Sequence, residues 1–117
     1  MNEFGNHIRR RREELLQDDR RFSLRQVAKR VSIEPAYLSK IERGEFAPPS
    51  EEVIRKLAGE LGEDADILLA LAGKVSRDLL EVIVQRPRLM ADLLRQIRDM
   101  PDQAVLRIVR EVKDGDW

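Results

Sequence analysis

Side chains that can donate hydrogen bonds gather in one short stretch of the chain. Ser23, Arg25, Gln26, Lys29, Tyr37, Ser39, Lys40 and Arg43 all fall within it. Hydroxyls, amides and cations in such a set suit the recognition of anions and of polar edges, as in contacts to phosphate and to bases. Bond-making chemistry has few candidates. His7 is the only histidine and cysteine is missing, which removes Ser-His-Asp and Cys-His arrangements and thiolate or multi-histidine metal sites. Glu13-Glu14, Asp18-Asp19 and Glu51-Glu52 are acidic neighbours, but adjacent helical positions point apart, so they read as solvated surface and not as an acid–base pair. No glycine-rich phosphate loop is present. The sequence therefore predicts a non-enzyme with no metal and no cofactor.

The elements that position these donors follow from the apolar spacing. Leu24, Val27, Ala28 and Val31 repeat at helical intervals, a break follows, and Leu38 and Ile41 begin a second repeat. Two short helices joined by a tight turn fit this pattern, with Ala28 small enough to sit at their crossing. Arg25, Lys29, Lys40 and Arg43 lie off the apolar stripe, free to meet an anion. This is a helix-turn-helix, a frame that presents its second helix to a DNA groove.

The stretch resembles the Cro/phage-repressor type of helix-turn-helix regulators, also called the XRE family. The most specific part of the match is Tyr37-Leu38-Ser39-Lys40-Ile41-Glu42-Arg43-Gly44, and the resemblance covers roughly the first 73 residues. It implies an all-α, five-helix lambda-repressor-like DNA-binding domain over residues 1–73. It also implies a structural salt bridge between Arg12 and Glu42, of a kind that fixes geometry more than it adds stability. By family position Ala36 and Lys40 are base-edge neighbours, Ala36 meeting a thymine methyl and Lys40 donating to guanine. Ser23, Arg25, Gln26, Tyr37, Ser39 and Arg43 complete the expected DNA-binding set, Tyr37 with plain packing as its alternative. Two positions depart from the family. Ser32 stands where glycine is usual, which predicts a strained or rearranged turn. Glu34 stands where a serine or threonine usually caps the reading helix; its carboxylate can still cap, yet repels nearby phosphate.

Taken in order, a first helix over Phe4 to about Gln17 turns Phe4, Ile8, Leu15 and Leu16 inward. Its run Arg9 to Arg12 is either a solvated face with one buried partner or a phosphate contact. Gln17 to Phe22 makes a connection about four residues longer than the family's. It either extends the helix or carries Arg20 and Arg21 outward on a loop. Ser23 is expected to cap the second helix and Ser50 the fourth, with Pro35 in the first turn of the third. Phe46 falls near the sugar-phosphate backbone. A fifth helix from about Asp64 to Ala72 is expected to turn Ile67, Leu68 and Leu71 inward, with Gly44, Gly62 and Gly73 as helix stops.

Residues 74–117 carry three more amphipathic patterns and read as a C-terminal helical extension, with Ser76 a candidate cap and Pro87 a stop or restart. Their apolar side chains exceed what one neighbour can cover. Homodimerisation through Leu79, Ile83, Leu93, Ile97, Val105 and Val109 is the expectation, because symmetric dimers are common and a helix-turn-helix reads two half-sites of a palindromic operator. The alternative is an antitoxin or adaptor whose tail binds a partner protein; by resemblance alone, a toxin or a protease. Charge is distributed to match: residues 1–50 hold 11 basic against 8 acidic side chains, the remainder 11 against 14. A basic front and an acidic back suit a DNA-facing part joined to a protein-facing one. No leader or long apolar run appears, so the sequence predicts a cytoplasmic, nucleoid-associated protein of bacterial or phage type with no membrane contact.

Overall fold

The computed structural model describes residues 2–117. Its eight α-helices are α1 (Glu3–Leu16), α2 (Leu24–Arg30), α3 (Pro35–Glu42), α4 (Glu51–Leu61), α5 (Ala65–Leu71), α6 (Arg77–Gln85), α7 (Pro87–Ile97) and α8 (Asp102–Asp114). A single 3-10 turn, Arg20–Phe22, lies between α1 and α2. No strand occurs among the described residues, so the fold is all-α as the periodicity predicts. Local chemistry sets the ends. Ser23 Oγ accepts from the Gln26 amide at 3.2 Å and Ser50 Oγ from the Val53 amide at 3.3 Å, each satisfying a first-turn N–H that the helix cannot. At the other ends Gly44, Gly62 and Gly73 hold φ of 76°, 66° and 73°, the left-handed region that glycine enters without a Cβ clash.

The chain divides into two compact units, Met1–Ser76 and Arg77–Trp117. In the first, the inward stripes of five helices converge. Phe4 and Ile8 of α1, Val27 and Ala28 of α2, Leu38 and Ile41 of α3, four residues of α4, and Leu68 and Leu69 of α5 are all buried. Each fully buried Leu or Ile contributes about 1.5–3 kcal/mol relative to exposure. Ala28 is completely enclosed, and its carbonyl accepts the Ile33 amide at 3.0 Å, so the turn leaves no room there for a larger side chain. One expectation fails in α5. Ile67 is 55% exposed and Leu69, not Ile67, is fully buried. The seven-residue helix is apolar at every position but Asp66, so its spacing alone does not fix which side turns in; packing against α4 and α1 decides it. The unit continues past Gly73, since Lys74 Nζ donates to the Pro49 carbonyl at 2.9 Å and Ser76 is buried.

The second unit differs in kind. None of residues 77–117 is buried. Leu79, Leu93 and Val109 are exposed, while Ile83, Ile97 and Val105 are half-buried. Pro87 occupies the first turn of α7, where its missing N–H is harmless, so it restarts the chain after α6. Val105, Ile108, Val109 and Val112 repeat at the i, i+3, i+4, i+7 spacing of a helical seam. Trp117 is 91% exposed, its indole N–H donating to the Val112 carbonyl at 3.1 Å. Residues 77–117 carry 8 basic and 8 acidic side chains, so the acidic excess of the back half lies wholly within residues 51–76. No described helix is long and apolar enough to cross a membrane.

Candidate nucleic-acid interface

The turn between α2 and α3 determines where the second helix points. Ser32 adopts φ 62°. Its amide donates to the Lys29 carbonyl at 3.2 Å, and the next amide, of Ile33, reaches back to Ala28. This pair of bonds is the Schellman closure that glycine usually makes. The turn is therefore not rearranged around Ser32. The serine accepts the left-handed conformation, at a cost of about 1–2 kcal/mol for a residue with a Cβ. Ile33 packs on the core and holds the closure in place. The same closure ends α3: Gly44 donates to Ile41 at 3.0 Å and Glu45 to Lys40 at 2.8 Å.

α3 starts at Pro35 with Glu34 in the N-cap position, but the Glu34 side chain makes no capping hydrogen bond. The carboxylate could have capped the helix and does not. The longer side chain leaves the first-turn amides of α3 without a side-chain acceptor. Ala36 is exposed; Tyr37, Ser39 and Lys40 are half-buried; Arg43 is exposed. Arg43 Nη2 lies 3.1 Å from Glu45 Oε2, and its Nε donates to the Ser39 carbonyl at 3.3 Å, so its charge is partly answered within the chain. Lys40 has no carboxylate partner among the described residues; its ammonium sits 5.0 Å from the centroid of the Phe46 ring. The Tyr37 and Phe46 ring centroids are 5.9 Å apart with planes inclined by 49°. The sequence reading placed Phe46 only near a phosphate and missed this cluster. The legible signal was an aromatic residue just beyond the Gly44 stop, where a reversing chain returns over the last turn of α3.

On α2 the Ser23 hydroxyl is engaged as the cap, while Arg25 and Gln26 are exposed. No described carboxylate pairs with Arg25 or Lys29. Most other arginines of this unit are held: Arg9 by Glu13 at 3.0 Å, Arg30 by Glu60 at 2.6 Å and Arg11 by the Leu61 carbonyl at 3.0 Å. In the connection before α2, Arg21 meets Asp19 at 2.7 Å. Hydrogen bonds from the Arg21 side chain and backbone hold the Asp19 carboxyl down at about 2. The connection is thus a self-paired loop around Arg21, leaving Arg20 exposed. Among the described residues of this unit the side-chain cations without a carboxylate or carbonyl partner are Arg10 on α1, Arg20 in the connection, Arg25 and Lys29 on α2, and Lys40 on α3.

Two residues of α1 and its lead-in fix α3 from behind. Arg12 Nε and Nη2 donate to the two Glu42 carboxylate oxygens at 2.8 and 2.9 Å, and Arg12 Nη1 donates to the Phe22 carbonyl at 3.2 Å. Both partners are buried, and the hydrogen bonds to Glu42 raise the Arg12 pKa against the opposing effect of burial. The planar fork admits one orientation, so the pair registers α3 on α1 and on the α2 entrance. Asn2 Nδ2 adds a bond to the Glu42 carbonyl at 2.9 Å, satisfying one of the last carbonyls of α3. No group of three or more His, Cys, Asp or Glu that could hold a metal occurs among the described residues.

A compact five-helix unit, with a capped helix, a left-handed turn and an outward-facing second helix, is the architecture of a DNA-reading domain. The chain matches the family described as "Helix-turn-helix domain" over residues 3–71. It belongs to that family, and its first unit is a DNA-binding domain. No curated protein and no solved structure matches the chain.

Proposed function

We propose that the protein is a sequence-specific transcriptional regulator of the XRE type, a repressor and not an enzyme, which binds a palindromic operator as a homodimer in the cytoplasm of a bacterium or in a phage-infected cell. The observation that carries this reading is the set of cations without carboxylate partners, Arg25, Lys29 and Lys40, on the two helices of the motif, beside an exposed Ala36. α3 enters the major groove. Ala36 and Lys40 meet base edges, while Ser23, Arg25, Gln26, Tyr37, Ser39 and Arg43 line the phosphates to either side. Glu34 and Glu45 bring negative charge to the same surface, so binding is modest in affinity and falls steeply with salt as counterions are released.

The homodimer is favoured by the uncovered apolar side chains of α6, α7 and α8, with Leu79, Ile83, Leu93, Ile97, Val105 and Val109 at the interface. A second copy matches each of these surfaces with its own, and the balanced charge of residues 77–117 raises no barrier to self-association. The same exposure would serve an antitoxin or adaptor that covers its tail with a toxin or protease; a monomer in sedimentation would favour that account. Selection of bound duplexes from a random DNA pool tests the main reading. A recovered palindrome is expected, and Lys40→Ala should lose about 1–3 kcal/mol of discrimination at one base pair per half-site. Failure to retain any duplex at low salt would overturn it.

A further inference from the structure

We propose that Phe46 is a specificity-determining positioning residue, whose ring holds the Lys40 ammonium in a single direction for base recognition. The inference rests on the reading of Lys40 as a base contact and adds a residue to it. A lysine is a point charge on a long flexible stem, so it selects poorly among neighbouring acceptors unless something restricts its rotamers. Three features of the loop after α3 supply that restriction. The amides of Glu45 and Phe46 both reach back to the Lys40 carbonyl, at 2.8 and 3.3 Å, which brings the loop level with the last turn of α3. Tyr37, one turn earlier, stands 5.9 Å from the Phe46 ring and supports one side of it. The ammonium lies 5.0 Å from the ring centroid, within the range of a cation–π interaction.

Packing alone does not account for Phe46. Its side chain remains 47% exposed, so apolar burial gives it little reason to occupy this position. It has no donor with which to bind a phosphate. What it does offer is a π face turned to a cation that no described carboxylate partners. Held this way, the ammonium still has its N–H groups on the side away from the ring, available to guanine O6 or N7.

The test compares Phe46→Ala, Phe46→Leu and Phe46→Trp in the full chain, on a duplex selected by the wild-type protein and on variants of it changed at one base pair. Lys40→Ala first identifies the base pair that Lys40 reads. Phe46→Ala and Phe46→Leu are expected to lose about two- to fivefold of the discrimination at that pair, and Phe46→Trp to keep it. In the free protein, proton NMR should show the upfield ring-current shift of the Lys40 ε-methylene collapse in the Ala and Leu variants and persist in the Trp variant. Leucine retains apolar bulk without a π face, so the Leu and Trp variants suffice should the Ala variant unfold. Full discrimination in Phe46→Leu would overturn the inference, as would equal weakening on every duplex in Phe46→Ala, the mark of a backbone contact. If Lys40→Ala itself alters no base preference, the base-contact reading fails and this inference with it. If Lys40→Ala relaxes one pair and Phe46→Ala does not, this inference alone fails.

Discussion

Thirteen apolar side chains are buried among the described residues of the first unit, and none within residues 77–117, although both regions are made of short amphipathic helices. Helix-forming tendency does not separate them. Convergence does. In the first unit the stripes of α1 to α5 meet at one centre, with Leu38, Ile54 and Leu57 wholly enclosed. In the second, Leu80, Leu89, Leu94 and Leu106 each remain close to half exposed or more. Apolar area stabilises a fold only once it leaves water. The apolar pattern of the second region therefore contributes less to its own stability than that of the first.

Substitutions sharpen the contrast. The largest effect is expected from Glu42→Ala, which strands Arg12, 7% exposed, without its counter-charge. Loss of one partner of such a pair costs about 3–5 kcal/mol in unfolding free energy, readable by urea denaturation. Replacing both, Arg12→Met with Glu42→Leu, should recover most of that. A loss under about 1 kcal/mol for Glu42→Ala would mean that water reaches the site and the registering role is weak. Next comes a matched pair. Leu57→Ala should cost about 2–5 kcal/mol through the cavity it leaves. Leu93→Ala should leave the stability of the first unit within about 0.5 kcal/mol, yet move self-association in sedimentation to higher protein concentration. Equal losses in both would break the comparison. Smallest is Ser32→Gly, expected to raise stability by about 1 kcal/mol in thermal unfolding by relieving the left-handed serine. No gain would mean that the unfolded chain's extra freedom offsets the relief.

How far the sequence sufficed varied by element. The caps at Ser23 and Ser50 and the stops at Gly44 and Gly62 were legible because each is a local act of a single residue on its nearest amides and carbonyls. α3 was legible because Pro35 and Gly44 bound it and Leu38 and Ile41 keep its apolar spacing. α5 was not, since a run of leucines offers several faces and only its neighbours choose one. The failure of Glu34 to cap has the same origin: composition permits the bond, and the three-dimensional path of a longer side chain withholds it. The Phe46–Lys40–Tyr37 cluster lay beyond the sequence reading because it depends on a loop reversing direction, which spacing along a helix does not encode.

The side chain of Asn2 also bears on how this surface can change. Its amide holds the last turn of α3, and it lies so close that a Cβ on Gly44 would come within 2.7 Å of it. Gly5 stands against the Ile41 carbonyl and the same asparagine. Side chains added at Gly5 or Gly44 would press on Asn2 and on the last turn of α3. The setting of α3 is thus open to change from the back of the domain, while the exposed side chains of α2 and α3 stay as they are.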